Sequence, residues 1–578
     1  MSLSPPSPTA PLTSAYPLKP MKSPFDIDEI LRVILAYCDK PSLACLARTA
    51  SCFTEPALDL LWETLPSFAV LLKLLPEELV HWSNVDGPGQ SRPVSVSRAG
   101  SQCVFVVQCP FVQIVNRLII PRDWTRFGYY ARRVRIWPFE ELLCIDEPIV
   151  DHIAFGRNPE YLIPRLQRMD VVGASASAVH LQTLCLCPTI QSVTIRNKNP
   201  SPQITREMKT FLCTLADRAT NLKTFVVNWG RGDLITSRFK EGLVDVFTSG
   251  VDNLETLQLM TPCVDAESFI LISKLRNLAA LYLNLEGTGE GSQFQQGVIT
   301  VPDAFPALKC VCLCGHIEDI MNTLRCFGNP ALLLNLSLGV KQYPTSSGFS
   351  QLLQIVASRF TNLGMIEFTV VKDQMTSGDF AIANQHYAQN RDAYAHSITT
   401  ISPILSLRSL SSVVFEIGVP FTLSDSDFHT IGEAWPNVEN LILGSDPFCS
   451  HTHTLPPIAG VQGLLALVSH CPKLRHLALF LDYTFDITYD LIATCDIKSP
   501  KMSQFDVGRS WISNPPMVAA FLTGLFPSLD VLTWKGKREA HAINDYCEYS
   551  ATWTEVSLLL PAFKAARMHE HFKLLHHD

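Results

Sequence analysis

Along most of the chain, apolar residues recur in one order: an amphipathic stretch of helical period, then Asn or Pro, then apolar positions spaced as L-x-x-L-x-L. The clearest copies are Asn221-Leu222-Lys223-Thr224-Phe225-Val226-Val227, Asn253-Leu254-Glu255-Thr256-Leu257-Gln258-Leu259 and Asn277-Leu278-Ala279-Ala280-Leu281-Tyr282-Leu283. Two later copies open with proline, at Pro472-Lys473-Leu474 and Pro527-Ser528-Leu529. Taking the first apolar residue of each copy as its anchor, a, gives Ala131, Leu166, Ile190, Leu222, Leu254, Leu278, Leu308, Leu333, Leu363, Leu410, Val438, Leu474, Met502 and Leu529, with a mean step of about 31 residues.

A unit of one strand and one helix can bury its leucines only against the next unit. The pattern therefore predicts an α/β fold: a leucine-rich-repeat-like solenoid over residues 131–540, its repeats long and irregular for that class. Alternation along each strand sends a+3 and a+5 into the core and a+2, a+4 and a+6 to the inner, concave face. On that register Arg133, Arg135, Trp137, Arg168 and Arg196 project together, with Gln258, Tyr282, Cys310, Cys312, Glu367 and Glu416 further along. Arginines beside an aromatic are a common composition for binding a protein partner, so these five are the expected target-binding residues. The longest interval, between Leu363 and Leu410, predicts either an inserted helix or a loop over one rim.

The N-terminal region has a different pattern. Residues 1–24 hold seven prolines and five serines, which disfavours regular structure and predicts a disordered leader. Ile27, Ile30, Leu31, Ile34 and Leu35 then fall on one helical face. Asp39-Lys40-Pro41-Ser42 breaks that helix, and a second follows with Leu43, Leu46, Ala47 and Ala50 together. A third places Leu58, Leu61, Trp62 and Leu65 on one side, with Pro56 in its first turn. A small helical module is thus expected over 25–80, a linker and cap over 81–130, and a C-terminal helical cap over 541–578.

Composition narrows the chemistry. Hydrophobic residues make up 47% and charged residues 17% of the 578, so the chain has ample surface to bury. A net charge of −8 argues against general nucleic-acid binding. No apolar run is long enough to span a membrane. Eighteen cysteines without a secretory signal point to free thiols and a cytoplasmic or nuclear setting.

Motifs for bond chemistry are weak. The Gly287-x-Gly289-x-Gly291 run carries glutamates where a phosphate cradle needs a cation, and reads as a loop. Cys310, Cys312 and Cys314 alternate along one strand face, which spreads thiols in a row rather than around an ion. Cys449-x-His451-x-His453 lacks a second ligand pair, and His569-Glu570-His571 is not a zinc-protease motif. No catalytic residue, metal or other cofactor is expected.

Glu29-Ile30-Leu31, Ile34-Leu35, Leu43, Leu46-Ala47-Arg48, Phe53 and Leu61-Trp62 stand at the places of the F-box pattern. Over about 40 residues the module resembles an F-box, and its later part is similar to F-box proteins of mushroom-forming fungi. That resemblance implies a substrate-recognition subunit of a ubiquitin ligase. The module would dock on a Skp-family adaptor and its cullin complex through Ile30, Leu31, Ile34, Leu35, Leu43, Leu46, Ala47, Leu61 and Trp62, while the repeats hold an unidentified protein target. The alternative is a ligase-independent scaffold whose F-box-like helices merely cap the first repeat.

Overall fold

The computed structural model describes residues 27–83, 111–114, 119–138, 147–156, 160–173, 175–197, 201–229, 237–249, 251–261, 264–285, 304–371, 377–444, 457–484, 487–534 and 549–575. The proline-rich leader, the Gly287 to Gly291 run and the Cys449, His451, His453 cluster lie outside them. The chain divides into two compact units, residues 1–170 with 180–190 and residues 171–179 with 191–578.

The repeats form a parallel sheet whose fourteen strands follow chain order: Ile136–Trp137 (β1), Arg168–Val172 (β2), Ser192–Asn197 (β3), Thr224–Trp229 (β4), Thr256–Leu259 (β5), Ala280–Asn284 (β6), Cys310–Gly315 (β7), Asn335–Val340 (β8), Met365–Val370 (β9), Ser412–Glu416 (β10), Asn440–Leu443 (β11), His476–Leu479 (β12), Gln504–Asp506 (β13) and Val531–Thr533 (β14). Helices alternate with the strands, among them Pro202–Arg218, Ser237–Thr248, Ser346–Arg359, Asp425–Ala434, Val461–His470 and Pro515–Leu525. This is an α/β repeat solenoid. The long interval before β10 holds the helix Ser377–Gln389 and shorter helical turns, so the inserted-helix reading is the one realised.

From Leu166 onward every strand begins two residues after its expected anchor, and each of those anchors is at most 3% exposed. The anchor sits in a tight turn. Its N–H bonds the carbonyl three residues back, as in Leu222 to Ala219, Leu254 to Val251, Val438 to Trp435 and Leu529 to Phe526. Positions a+3 and a+5 are buried, for example Phe225 and Val227, Leu257 and Leu259, Ile366 and Phe368.

The first repeat differs from expectation. There the turn bond runs from Val134 N to Ala131 O, and β1 starts at Ile136, so Val134 is the anchor and Ala131 fills the position three before it. The shift is an odd number of residues, which exchanges the two strand faces.

Asparagine before the anchor has a defined task. The Asn253 Nδ2 donates to Thr220 O at 3.1 Å, Asn277 to Asp252 O at 2.7 Å and Asn362 to Ala331 O at 2.9 Å. In each case the carbonyl belongs to the preceding repeat, two residues before its anchor. At a+1 some neighbours add ion pairs, Lys223 to Glu255 at 2.8 Å and Arg475 to Glu439 at 3.2 Å. Behind the sheet, Phe269, Phe305, Phe327 and Phe360 follow one another with ring centroids 5.5, 5.0 and 6.1 Å apart.

The N-terminal module consists of α1 (Asp28–Leu35), α2 (Lys40–Thr49) and α3 (Ser51–Glu63). Asp39 caps α2 by accepting from Ser42 N at 2.9 Å, with a proline in the first turn. Two further helices of this unit are α4 (Phe68–Leu72) and α5 (Trp124–Ala131).

Candidate functional site: two surfaces

The face of α1 expected to be one stripe is divided in two. Leu31 and Leu35, 2% and 1% exposed, form a core with Leu43 and Ala57, against which Leu46, Ala47, Phe53, Leu60 and Leu61 pack partly buried. Ile30 (42%), Val33 (61%) and Ile34 (43%) form the outer stripe of α1, at i, i+3 and i+4, and Tyr37 (90%) extends it in the turn after the helix. Leu31, Leu35 and Leu43 therefore offer no docking surface, contrary to the sequence expectation, because they complete the module's own core. Trp62 is half-buried and lies 4.5 Å from the Tyr130 ring, centroid to centroid. Val33 and Tyr37 carry no F-box pattern letter and were missed; their i+3 and i+7 spacing from Ile30 was the available signal.

A charged network fixes α3 to the start of the repeats. Arg133, 4% exposed, bonds Asp59 through Nη1 and Glu55 Oε2 through Nη2, the latter at 2.6 Å. Tyr129 donates to Glu55 Oε1 at 2.7 Å, and Arg32 reaches Asp59 Oδ2 at 2.9 Å. The Tyr129 hydroxyl first, then Arg133, hold the Glu55 carboxyl below its ordinary pKa. Beside this network the backbone also pairs: Arg135 N donates to Glu63 O at 2.8 Å and Leu65 N to Ile136 O at 2.9 Å.

These contacts reassign part of the expected arginine patch. Arg133 is buried against α3 and is not a target-binding residue. Trp137 is 0% exposed, its ring 5.3 Å from that of Phe68, because the first anchor is Val134. Arg135 falls at a+1, where its Nη1 lies 3.3 Å from the Arg165 carbonyl and burial lowers its pKa. Arg168 and Arg196 do stand on the sheet face away from the core, both exposed, with Arg168 Nε 3.5 Å from Asp170 Oδ1.

The middle of that sheet face is polar and partly hydrogen-bonded. Ser337 donates to Glu367 Oε2 at 2.9 Å, and Asn335 Nδ2 lies 3.3 Å from Cys310 Sγ. Register puts Cys312 between Tyr282 and Ser337. Burial raises the Cys312 and Tyr282 pKa values, which keeps both groups protonated and neutral at physiological pH. Such a face can donate and accept hydrogen bonds but has no activated nucleophile among these groups.

The described part of the chain is thus a strand–helix repeat protein carrying a three-helix module with an uncovered apolar stripe. No protein-family model and no curated protein matches it. Among solved structures it is similar to a chain of the yeast Rad7 and Elc1 complex, with a TM-score of 0.31 and 11% identity over 69% of this chain and 86% of that one. A likeness that low carries no argument about what the protein does. Among the described residues no helix is long and apolar enough to cross a membrane.

Proposed function

We propose that the protein is a substrate receptor of a Skp–cullin–F-box ubiquitin ligase, acting in the cytoplasm or nucleus and performing no bond chemistry itself. The adaptor docks on the outer stripe of α1, and the repeat sheet face, including Arg168 and Arg196, holds a protein target. The observation that carries this reading is the exposed stripe Ile30, Val33, Ile34 and Tyr37 on a module whose own core is already filled. Each such side chain that a partner covers contributes at most about 1.5–3 kcal/mol. Tethering a target beside the ubiquitin carrier raises its effective concentration.

A second reading has its own support. Residues Glu63 to Leu65 pair with β1 and its approach, and Arg133 bonds two carboxylates of α3, as expected of a cap on a ligase-independent scaffold. That contact uses the end of α3 and leaves the α1 stripe unexplained. Co-purification with a Skp-family adaptor separates the readings. The native chain should capture the adaptor, and Ile30→Asp with Ile34→Asp should abolish capture while circular dichroism stays unchanged. Failure of the native chain to bind would leave the scaffold reading standing, and equal capture by the double variant would overturn docking on the α1 stripe.

A further inference from the structure

The helices Asp425–Ala434 and Val461–His470 belong to consecutive repeats and approach closely at two glycines. A Cβ on Gly432 would lie 2.8 Å from His470 Cβ, and one on Gly463 would lie 2.6 Å from Asp425 Oδ1. This closeness brings the His470 ring to within 4.6 Å of the His429 ring, centroid to centroid, in a T-shaped contact. Glu433, one turn along from His429, places Oε2 at 3.7 Å from its Nδ1. One ligand atom from each of His429, Glu433 and His470 falls within 4.8 Å of the other two.

We propose that these three side chains bind a zinc ion, or a similar borderline divalent cation, that ties one repeat to the next. Two imidazoles and a carboxylate are the ligand types zinc takes, whereas calcium and magnesium require oxygen sets. Tetrahedral zinc with bonds of about 2.0–2.1 Å holds its ligands roughly 3.3 Å apart. The two exposed side chains, His429 and Glu433, close the remaining distance by rotation.

The outer contacts of His470 favour a ligand. Its Nδ1 lies 2.8 Å from Ala466 O and 3.0 Å from Ser469 Oγ. A ring nitrogen facing a carbonyl carries the proton, so the lone pair sits on Nε2, the arrangement seen where an outer partner orients a metal-binding imidazole. Three protein ligands leave a fourth position for water or for a group from a bound partner.

The test uses the full, metal-stripped chain, with zinc titrated calorimetrically and cobalt used as a spectroscopic probe. One equivalent should bind, and the cobalt complex should lack a thiolate-to-metal band, which separates this site from the cysteines. His470→Ala and His429→Gln should each weaken the first equivalent by at least the roughly 10–100-fold seen on losing an outer-shell partner. Glu433→Gln should weaken it less, and all three variants should keep the native circular dichroism. No binding by the native chain, equal affinity in the histidine variants, or a thiolate band at the first equivalent would each overturn the proposal.

Discussion

The repeats and the N-terminal module use apolar residues differently. In the module, four large exposed apolar side chains fall within Ile30 to Tyr37. In the repeats the exposed ones are dispersed, as at Leu334, Ile382, Ile458 and Val531. Each repeat finds in its neighbour the partner that its apolar face requires. The α1 stripe finds no such partner among the described residues, and an uncovered contiguous apolar patch on a small helical module marks an interaction surface.

The largest effect expected from breaking this contrast is on α1 itself. Leu31→Asp places a carboxylate in the module core and should cost about 4 kcal/mol or more, unfolding the module. Ile34→Asp, three residues away, should change stability by less than about 0.5 kcal/mol. Limited proteolysis between α1 and α3 reads both, and equal sensitivity of the two variants would contradict the division of the helix into two stripes.

A smaller effect is expected inside the repeats. His396 is fully buried beside Phe349 and Phe421, and burial pulls its pKa from 6.5 down to about 4. The unfolded chain takes up this proton first as pH falls. The stability present above pH 6.5 is therefore lost progressively between about 6.5 and 4, by up to about 3 kcal/mol. Urea unfolding across that range should show the loss, and His396→Phe should flatten it.

The smallest effect lies at the seams. Removing the Asn277 bond to Asp252 O with Asn277→Ala should cost about 1 kcal/mol. The matching change at the exposed Asn335, whose side chain donates to the weak acceptor Cys310 Sγ, should cost less. Thermal unfolding of the two variants ranks them.

The repeats were legible in sequence because three signals coincide: the anchor, the turn before it and the alternation after it. The first repeat was misread because Ala131, the apolar residue three positions ahead of Val134, imitates an anchor when the turn bond is not known. That odd shift is also what moved Trp137 from core to surface in the expectation. On α1 the helical period was legible but the buried side was not. Five apolar positions cover one broad face, and only the packing of Leu43 and Ala57 decides that its Leu31 and Leu35 edge turns inward. His429 and His470 are separated by a whole repeat, so no local spacing could join them.

The asparagine bonds also bear on how such a chain can change its length. At three seams the same donor, one residue before an anchor, meets the same carbonyl, two residues before the previous anchor. Excising residues 254–277 would join Asn253 directly to Leu278 and leave Asn253 facing Thr220 O as before. A cut made there removes one whole strand and helix without creating a new kind of junction. Duplication between the same points would add one just as cleanly. A change of length made between these points therefore comes in whole units and keeps the asparagine bond at that boundary.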